Sequence, residues 1–184
     1  DFKSIYPFPS DEPLRHLLTR IAPVYESTQV SSPSDWHLRA LRRLVPTIDL
    51  GFEIMFYFDL RDPNYKYDPR LPPYREGAYG YHDDALLSLA PIMSIKDYLR
   101  DRCEVLLHQV PGINTLYVNQ RVLLHGLEVG FNWVDAAHAA GVELCTWTID
   151  ADQPNAAEIV QRLQAAGVDR ITSNTPNRLS QGKS

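Results

Sequence analysis

The phrase Ala139-Ala140-Gly141-Val142-Glu143 returns as Ala165-Ala166-Gly167-Val168-Asp169, 26 positions further along the chain. Each copy reads as a helix end, a glycine stop and the first residues of a strand. Alanine favours helix, glycine takes the left-handed conformation that ends one, and valine suits the pleated strand that follows. The first copy runs into Leu144-Cys145-Thr146-Trp147-Thr148-Ile149, the second into Arg170-Ile171-Thr172-Ser173-Asn174-Thr175-Pro176. A period of 26 residues is the length of one strand-plus-helix unit. Such an echo predicts stacked α/β units, and hence a parallel sheet or barrel.

A chain of 184 residues, 44% hydrophobic and 22% charged, suits one globular domain with a sizeable core. No apolar run approaches the roughly 20 residues that a membrane-spanning helix needs. The net charge of −5 comes without a clustered Lys/Arg stripe. Nucleic acid and anionic lipid surfaces are therefore not expected partners, since both are bound through basic patches. Cys103 and Cys145 stand far apart and in no C-x-x-C spacing, which argues against zinc and for packing thiols. There is no P-loop and no G-x-G-x-x-G, and Ser31-Ser32 lack a nucleophile elbow. The sequence opens at Asp1 with neither Met nor a leader pattern, so any targeting segment is expected upstream and the compartment stays open.

Along the chain, Asp1 to Ile5 alternates polar and apolar residues and reads as a short strand. Ser10-Asp11-Glu12 opens a helix carrying Leu14, Leu17, Leu18 and Ile21 until Pro23. Thr28 to Ser32 is a second strand, followed by a helix capped by Ser34 with Leu38, Leu41, Leu44 and Val45 inward. Ile48 to Phe58 is a third strand. Residues 59–84 break the pattern: prolines and tyrosines crowd a stretch without periodicity, longer than loops in compact domains usually run. This insertion reads either as a lid over a pocket mouth or as a partner-binding or packed segment. Helical patterning returns from Leu86 to His108. Asn114 to Asn119, Val142 to Ile149 and Val168 to Thr172 are strands four to six, with helices capped by Asn132 and spanning Pro154 to Ala166 between them.

Residues 142–150 and 167–176 resemble the last two strands of the glycerophosphodiester phosphodiesterase family. That family has a (β/α)8 barrel whose seventh strand carries Trp-Thr-Val/Ile-Asn/Asp and whose eighth reads Gly-Val-Asp-Gly-Ile-Ile-Thr-Asp/Asn-x-Pro. Gln29-Val30-Ser31-Ser32 with Trp36, Leu38 and Leu41 is similar to its fourth strand and helix, with Pro33 where Phe is usual. Asp1-Phe2-Lys3 then resembles the Ile-Glu-x-Lys third strand, with Asp in place of Glu. The resemblance implies an incomplete TIM (β/α)8-type barrel holding strands three to eight in one partial domain, residues 1–184. It lacks the family's His-Arg motif, its Glu-x-Asp metal pair and its second catalytic His.

For the chemistry, the resemblance implies metal-dependent hydrolysis of a glycerophosphodiester to sn-glycerol 3-phosphate and an alcohol. Asp1 would be a ligand to Mg²⁺ or Ca²⁺, and Lys3 the catalytic cation on the substrate phosphate. Trp147 would line the pocket against the glycerol moiety, and Asn119, at a strand end, is a second substrate-binding candidate. One carboxylate cannot supply the six or so oxygens that a hard cation wants, so the chain alone is not expected to bind metal tightly. Of the histidines, His16, His37 and His138 fall on helices and are expected to be exposed or capping; His82-Asp83-Asp84 suits a helix start. Two alternatives remain. One is a phospholipase-D-like lysolipid or sphingomyelin phosphodiesterase; the other is a non-catalytic truncated barrel kept for binding. An incomplete barrel is also expected to leave strand edges and an apolar interior open, to be covered by the rest of a longer protein or by a partner chain.

Overall fold

The two glycine stops hold: Gly141 (φ +72°) and Gly167 (φ +91°) both take the left-handed conformation, each between a helix and the next strand. The structure is a computed structural model and describes residues 1–4, 6–57 and 92–181. The insertion at 59–84, with His82-Asp83-Asp84, lies outside the described residues.

Helix α1 (Glu12–Ile21) passes into a 3₁₀ helix (Ala22–Ser27), and β1 (Gln29–Ser32) follows. Next come α2 (Asp35–Leu44), β2 (Asp49–Glu53) and a second 3₁₀ helix (Ile54–Tyr57). The remainder is α3 (Ile95–Gln109), β3 (Thr115–Asn119), α4 (Gln120–Glu128), α5 (Trp133–Ala139), β4 (Glu143–Trp147), α6 (Ala156–Ala165), β5 (Arg170–Ile171) and α7 (Pro176–Gln181). The strands form one sheet in chain order, β1 to β5, and all neighbours are parallel. Sequential parallel strands with helical connections are the order that a (β/α) barrel needs.

Side chains alternate between the faces of a strand, so each face has its own composition. On one face Val30, Leu50, Phe52, Leu116, Val118 and Leu144 are buried against Leu38 and Leu41 of α2, Leu99 and Leu106 of α3, Trp133 of α5 and Leu163 of α6. The other face, which in a closed barrel is the lumen, is polar. Gln29 Nε2 donates to Asp49 Oδ1 (2.9 Å) and to Thr115 Oγ1 (3.0 Å), and Tyr117 Oη donates to Gln29 Oε1 (2.6 Å). Arg170 donates to Thr115 Oγ1 (2.9 Å) and pairs with Glu143. The layer crosses all five strands near their N-terminal ends. The expected open apolar interior is therefore corrected at this end: the lumen-facing positions near the N-terminal strand ends carry polar side chains that satisfy one another.

Two strand expectations also change. Asp1 to Ser4 makes no strand, because only Phe2 N reaches β1, donating to Ser31 O (2.7 Å), and Pro7 and Pro9 soon remove two backbone donors. The described sheet thus has five strands rather than six. The run from Ile48 stops being strand at Glu53 and tightens into the 3₁₀ turn, which buries Ile54. The α4 and α7 helices were not foreseen: Gly126 obscures the pattern of the first, and the second is a single short segment opened by Pro176. Below the sheet, Arg42 of α2 donates to the carbonyls of Pro46 and Ile48 (both 2.7 Å), Pro111 (3.2 Å) and Gly112. One guanidinium so fixes the approaches to both β2 and β3. Both cysteines are free and buried, as expected of packing thiols.

Candidate active site

Barrel chemistry gathers at the C-terminal ends of the strands. Here those ends carry Ser32, Glu53, Asn119, Trp147 and Ile171. The N-terminal segment joins them along the open edge of β1, held by three separate devices. Phe2 N bonds Ser31 O, Ser34 Oγ donates to Ser4 O (2.6 Å), and His37 Nε2 donates to Tyr6 O (2.9 Å). Phe2 and Phe8 close on the His37 ring, with centroids at 5.3 Å and 4.6 Å. His37 is buried, 2% exposed, so its expected exposed or capping role is corrected. Burial holds its pKa below the ordinary value, against the opposing bond to Tyr6. The neutral ring is the anchor for the segment that carries Asp1 and Lys3.

Lys3 Nζ pairs with Asp1 Oδ2 at 3.2 Å, both side chains being substantially exposed. Glu53 stands near them. Burial raises its pKa, and the positive charges of Lys3 and the first residue act in the opposite direction. Behind β2, Tyr57 Oη donates to Asp35 Oδ1 (2.6 Å), and Arg39 reaches Asp35 Oδ2 (2.8 Å). The 3₁₀ turn after Glu53 is thereby tied to the start of α2.

Trp147 lies opposite Asn119 in the β3–β4 register, on the lumen face. Its indole Nε1 is buried with no hydrogen-bond partner among the described residues. Asn119 Oδ1 accepts from Arg121 N (2.9 Å), so its amide caps α4. Past β4, Asp150 accepts from Asn174 N (2.6 Å), Asn174 Nδ2 (2.9 Å) and Ser173 Oγ (3.1 Å). These bonds, those from Asn174 foremost, hold the Asp150 carboxyl below the usual carboxylate range. The loops after β4 and β5 are thus fastened together beside Trp147.

No protein-family model and no curated protein matches the sequence. Solved structures do match in fold. A glycerophosphodiester phosphodiesterase from Parabacteroides distasonis aligns with a TM-score of 0.52 at 15% identity, over 97% of this chain and 53% of that one. A candidate phosphodiesterase of the same kind from Silicibacter pomeroyi gives 0.53 at 18% identity, over 92% and 42%. Another from Galdieria sulphuraria gives 0.53 at 15%, over 96% and 52%. The fold is that of part of a glycerophosphodiester phosphodiesterase barrel. The chain spans about half the length of these neighbours, as a C-terminal portion of such a TIM barrel does.

In that frame, Asp1, Lys3, Asn119 and Trp147 all lie at the C-terminal side of the sheet, but three of them are engaged locally, Asp1 and Lys3 with each other and Asn119 with its helix. A divalent metal does not fit the described residues: no group of three or more His, Cys, Asp or Glu comes together among them. Described histidines sit elsewhere. His138 bonds Asp169 (2.9 Å), His108 the Glu104 carbonyl (2.8 Å), and His37 is the anchor. Cys145 on β4 is held as a thiol, chiefly by burial. Glu53 and Asp150 were not singled out from sequence. Glu53 ended no recognisable motif, whereas Asp150 stood in the Trp-Thr-Ile-Asp run and Asn174 in the Thr-Ser-Asn-Thr-Pro run. Two concavities lie away from this side. One, of about 370 Å³, is between α3 and α5, and a polar one of about 330 Å³ is at the N-terminal strand ends by Asp49, Glu143 and Arg170.

Proposed function

We propose that the chain is part of a phosphodiesterase barrel that hydrolyses a glycerophosphodiester to sn-glycerol 3-phosphate and an alcohol. The observation that carries the reading is the gathering of Lys3, Glu53 and Trp147 at the C-terminal strand ends of a fold shared with glycerophosphodiester phosphodiesterases. In this reading Lys3 binds the phosphate and offsets the charge that builds on its oxygens. Trp147 lies along the glycerol, against which it sets its ring. The Asp150–Asn174 clamp keeps the strand ends that carry this wall in register.

Mg²⁺ or Ca²⁺, with Asp1 as one ligand, belongs to the complete barrel in this proposal, as do the acid/base histidines. The described residues make neither set. The test is release of sn-glycerol 3-phosphate from glycerophosphocholine with Mg²⁺ or Ca²⁺. The chain alone should show none, yet it should bind the diester, and Lys3→Ala should abolish that binding. Turnover by the chain alone would overturn the assignment of proton transfer to the missing part.

A further inference from the structure

Gln120 opens α4 at the end of β3, yet its side chain reaches across to the loop that follows β4. Its Nε2 donates to the Thr148 carbonyl (2.9 Å) and to Gln153 Oε1 (3.1 Å). Both amide hydrogens are thereby used, and the Thr148 carbonyl, which can only accept, fixes which way the amide faces. Gln120 is 7% exposed, and its Oε1 has no partner among the described residues. A buried acceptor left bare costs stability, so the two donated bonds are what the amide gains here. Both fall on the segment just past Trp147. From the β5 side, Thr172 O accepts from Ile149 N (3.0 Å), Thr172 N donates to Thr146 O (2.8 Å), and Thr175 Oγ1 accepts from Ala151 N (2.8 Å). Trp147 is thus bracketed. The backbone at Thr146 and Ile149 is held from β5, and the Thr148 carbonyl is held from α4 by Gln120.

We propose that Gln120 is a positioning residue, which sets where the Trp147 indole stands by holding Thr148 and Gln153. The inference rests on the phosphodiester reading above, in which Trp147 lines the glycerol, and adds the residue that orients it. Gln120 is itself covered and acts through the backbone beside Trp147. Without its two bonds the loop after β4 is fastened from one side, and the indole must be ordered afresh whenever a ligand binds. A phosphate on Lys3 does not meet that cost, whereas a glycerol laid against the indole does.

Gln120→Met, close in length but without donors, tests this in the full chain. The ¹⁵N indole resonances of Trp36, Trp133 and Trp147 are compared with those of the parent, the last assigned from Trp147→Phe. Dissociation constants for sn-glycerol 3-phosphate and for inorganic phosphate are measured by titration calorimetry. The Trp147 resonance should move while those of Trp36 and Trp133 stay. Binding of sn-glycerol 3-phosphate should weaken about three- to tenfold, the cost of ordering one large side chain on binding. Inorganic phosphate should bind as before. Gln153→Ala, which removes one of the two bonds, should give a smaller change of the same kind. An unmoved Trp147 resonance overturns the role of Gln120, as does equal weakening of both ligands, which a general loss of stability would produce. Failure of the parent chain to bind either ligand overturns the phosphodiester reading, and the indole comparison then decides on Gln120 by itself. Should Gln120→Met not fold, Gln153→Ala at its half-buried loop position decides the matter.

Discussion

Gly51→Ala is a small change with a large expected effect. A Cβ at this position would stand 2.4 Å from Tyr117 Cε2, 3.1 Å from Cδ2 and 3.2 Å from Gln29 Oε1. Non-bonded carbons settle near 3.5–4.0 Å, so the ring must move by about an ångström. It is not free to do so: its backbone is paired within the sheet and its hydroxyl is bonded to Gln29 at 2.6 Å. Overpacking of this kind costs about 1–3 kcal/mol, and loss of the Tyr117–Gln29 bond adds about 1 kcal/mol. Replacing glycine in a strand returns about 0.5–1 kcal/mol. The net is a loss of about 1–3 kcal/mol, a fall in Tm of roughly 3–10 °C for a chain of this size. Thermal and urea unfolding should show it with an unchanged m-value, meaning the same surface is exposed on unfolding. In a Tyr117→Ala background the same substitution should be harmless, giving a coupling of about 1 kcal/mol or more in the double-mutant cycle. A variant as stable as the parent, or a cycle without coupling, refutes the packed polar lumen.

Arg42→Ala removes the donor to four carbonyls, those of Pro46, Ile48, Pro111 and Gly112, and should lower stability by about 1–2 kcal/mol by urea unfolding. Arg42→Lys should recover only part, since an ammonium cannot reproduce the planar fork. His37 has a lowered folded-state pKa, so below the unfolded value of 6.5 the unfolded chain binds the proton more readily. The stability it contributes is fully present above about pH 6.5 and is lost as pH falls towards the folded pKa. The urea midpoint should decline over that range, and His37→Gln should flatten the decline. Asp150 is lowered too, so its clamp on Asn174 should persist above the ordinary carboxylate pKa of 3.8 and fail as pH falls below it. Asp150→Asn should reproduce that loosening at neutral pH, read as faster amide exchange at Asn174.

Local signals made much of this fold legible. The two Ala-Ala-Gly-Val phrases set the α6 region and both final strands, because glycine's left-handed conformation is a backbone requirement written in one residue. Strands β1, β3 and β4 fell where the alternation and apolar runs put them, and Asn132 caps α5 through Val134 N as its residue type suggests. What was hidden depends on partners far along the chain. The polar lumen needs the register that sets Gln29 beside Asp49 and Tyr117 beside Glu53. His37 looks like any helical histidine until Phe2 and Phe8 fold over it. Glu53 stands out only once the chain turns at Ile54, and Asn119 reads equally as pocket residue or cap until α4 forms behind it.

If the proposed function holds, a phosphodiester meets this chain at the C-terminal strand ends. Titrating a ¹⁵N-labelled sample with glycerophosphocholine and following amide and indole resonances locates the contact. Shifts should concentrate at Lys3, Glu53 and the Trp147 indole and leave Gln29, Asp49 and Arg170 in place. Shifts centred on those last three residues, or no shifts at saturating diester, would contradict it.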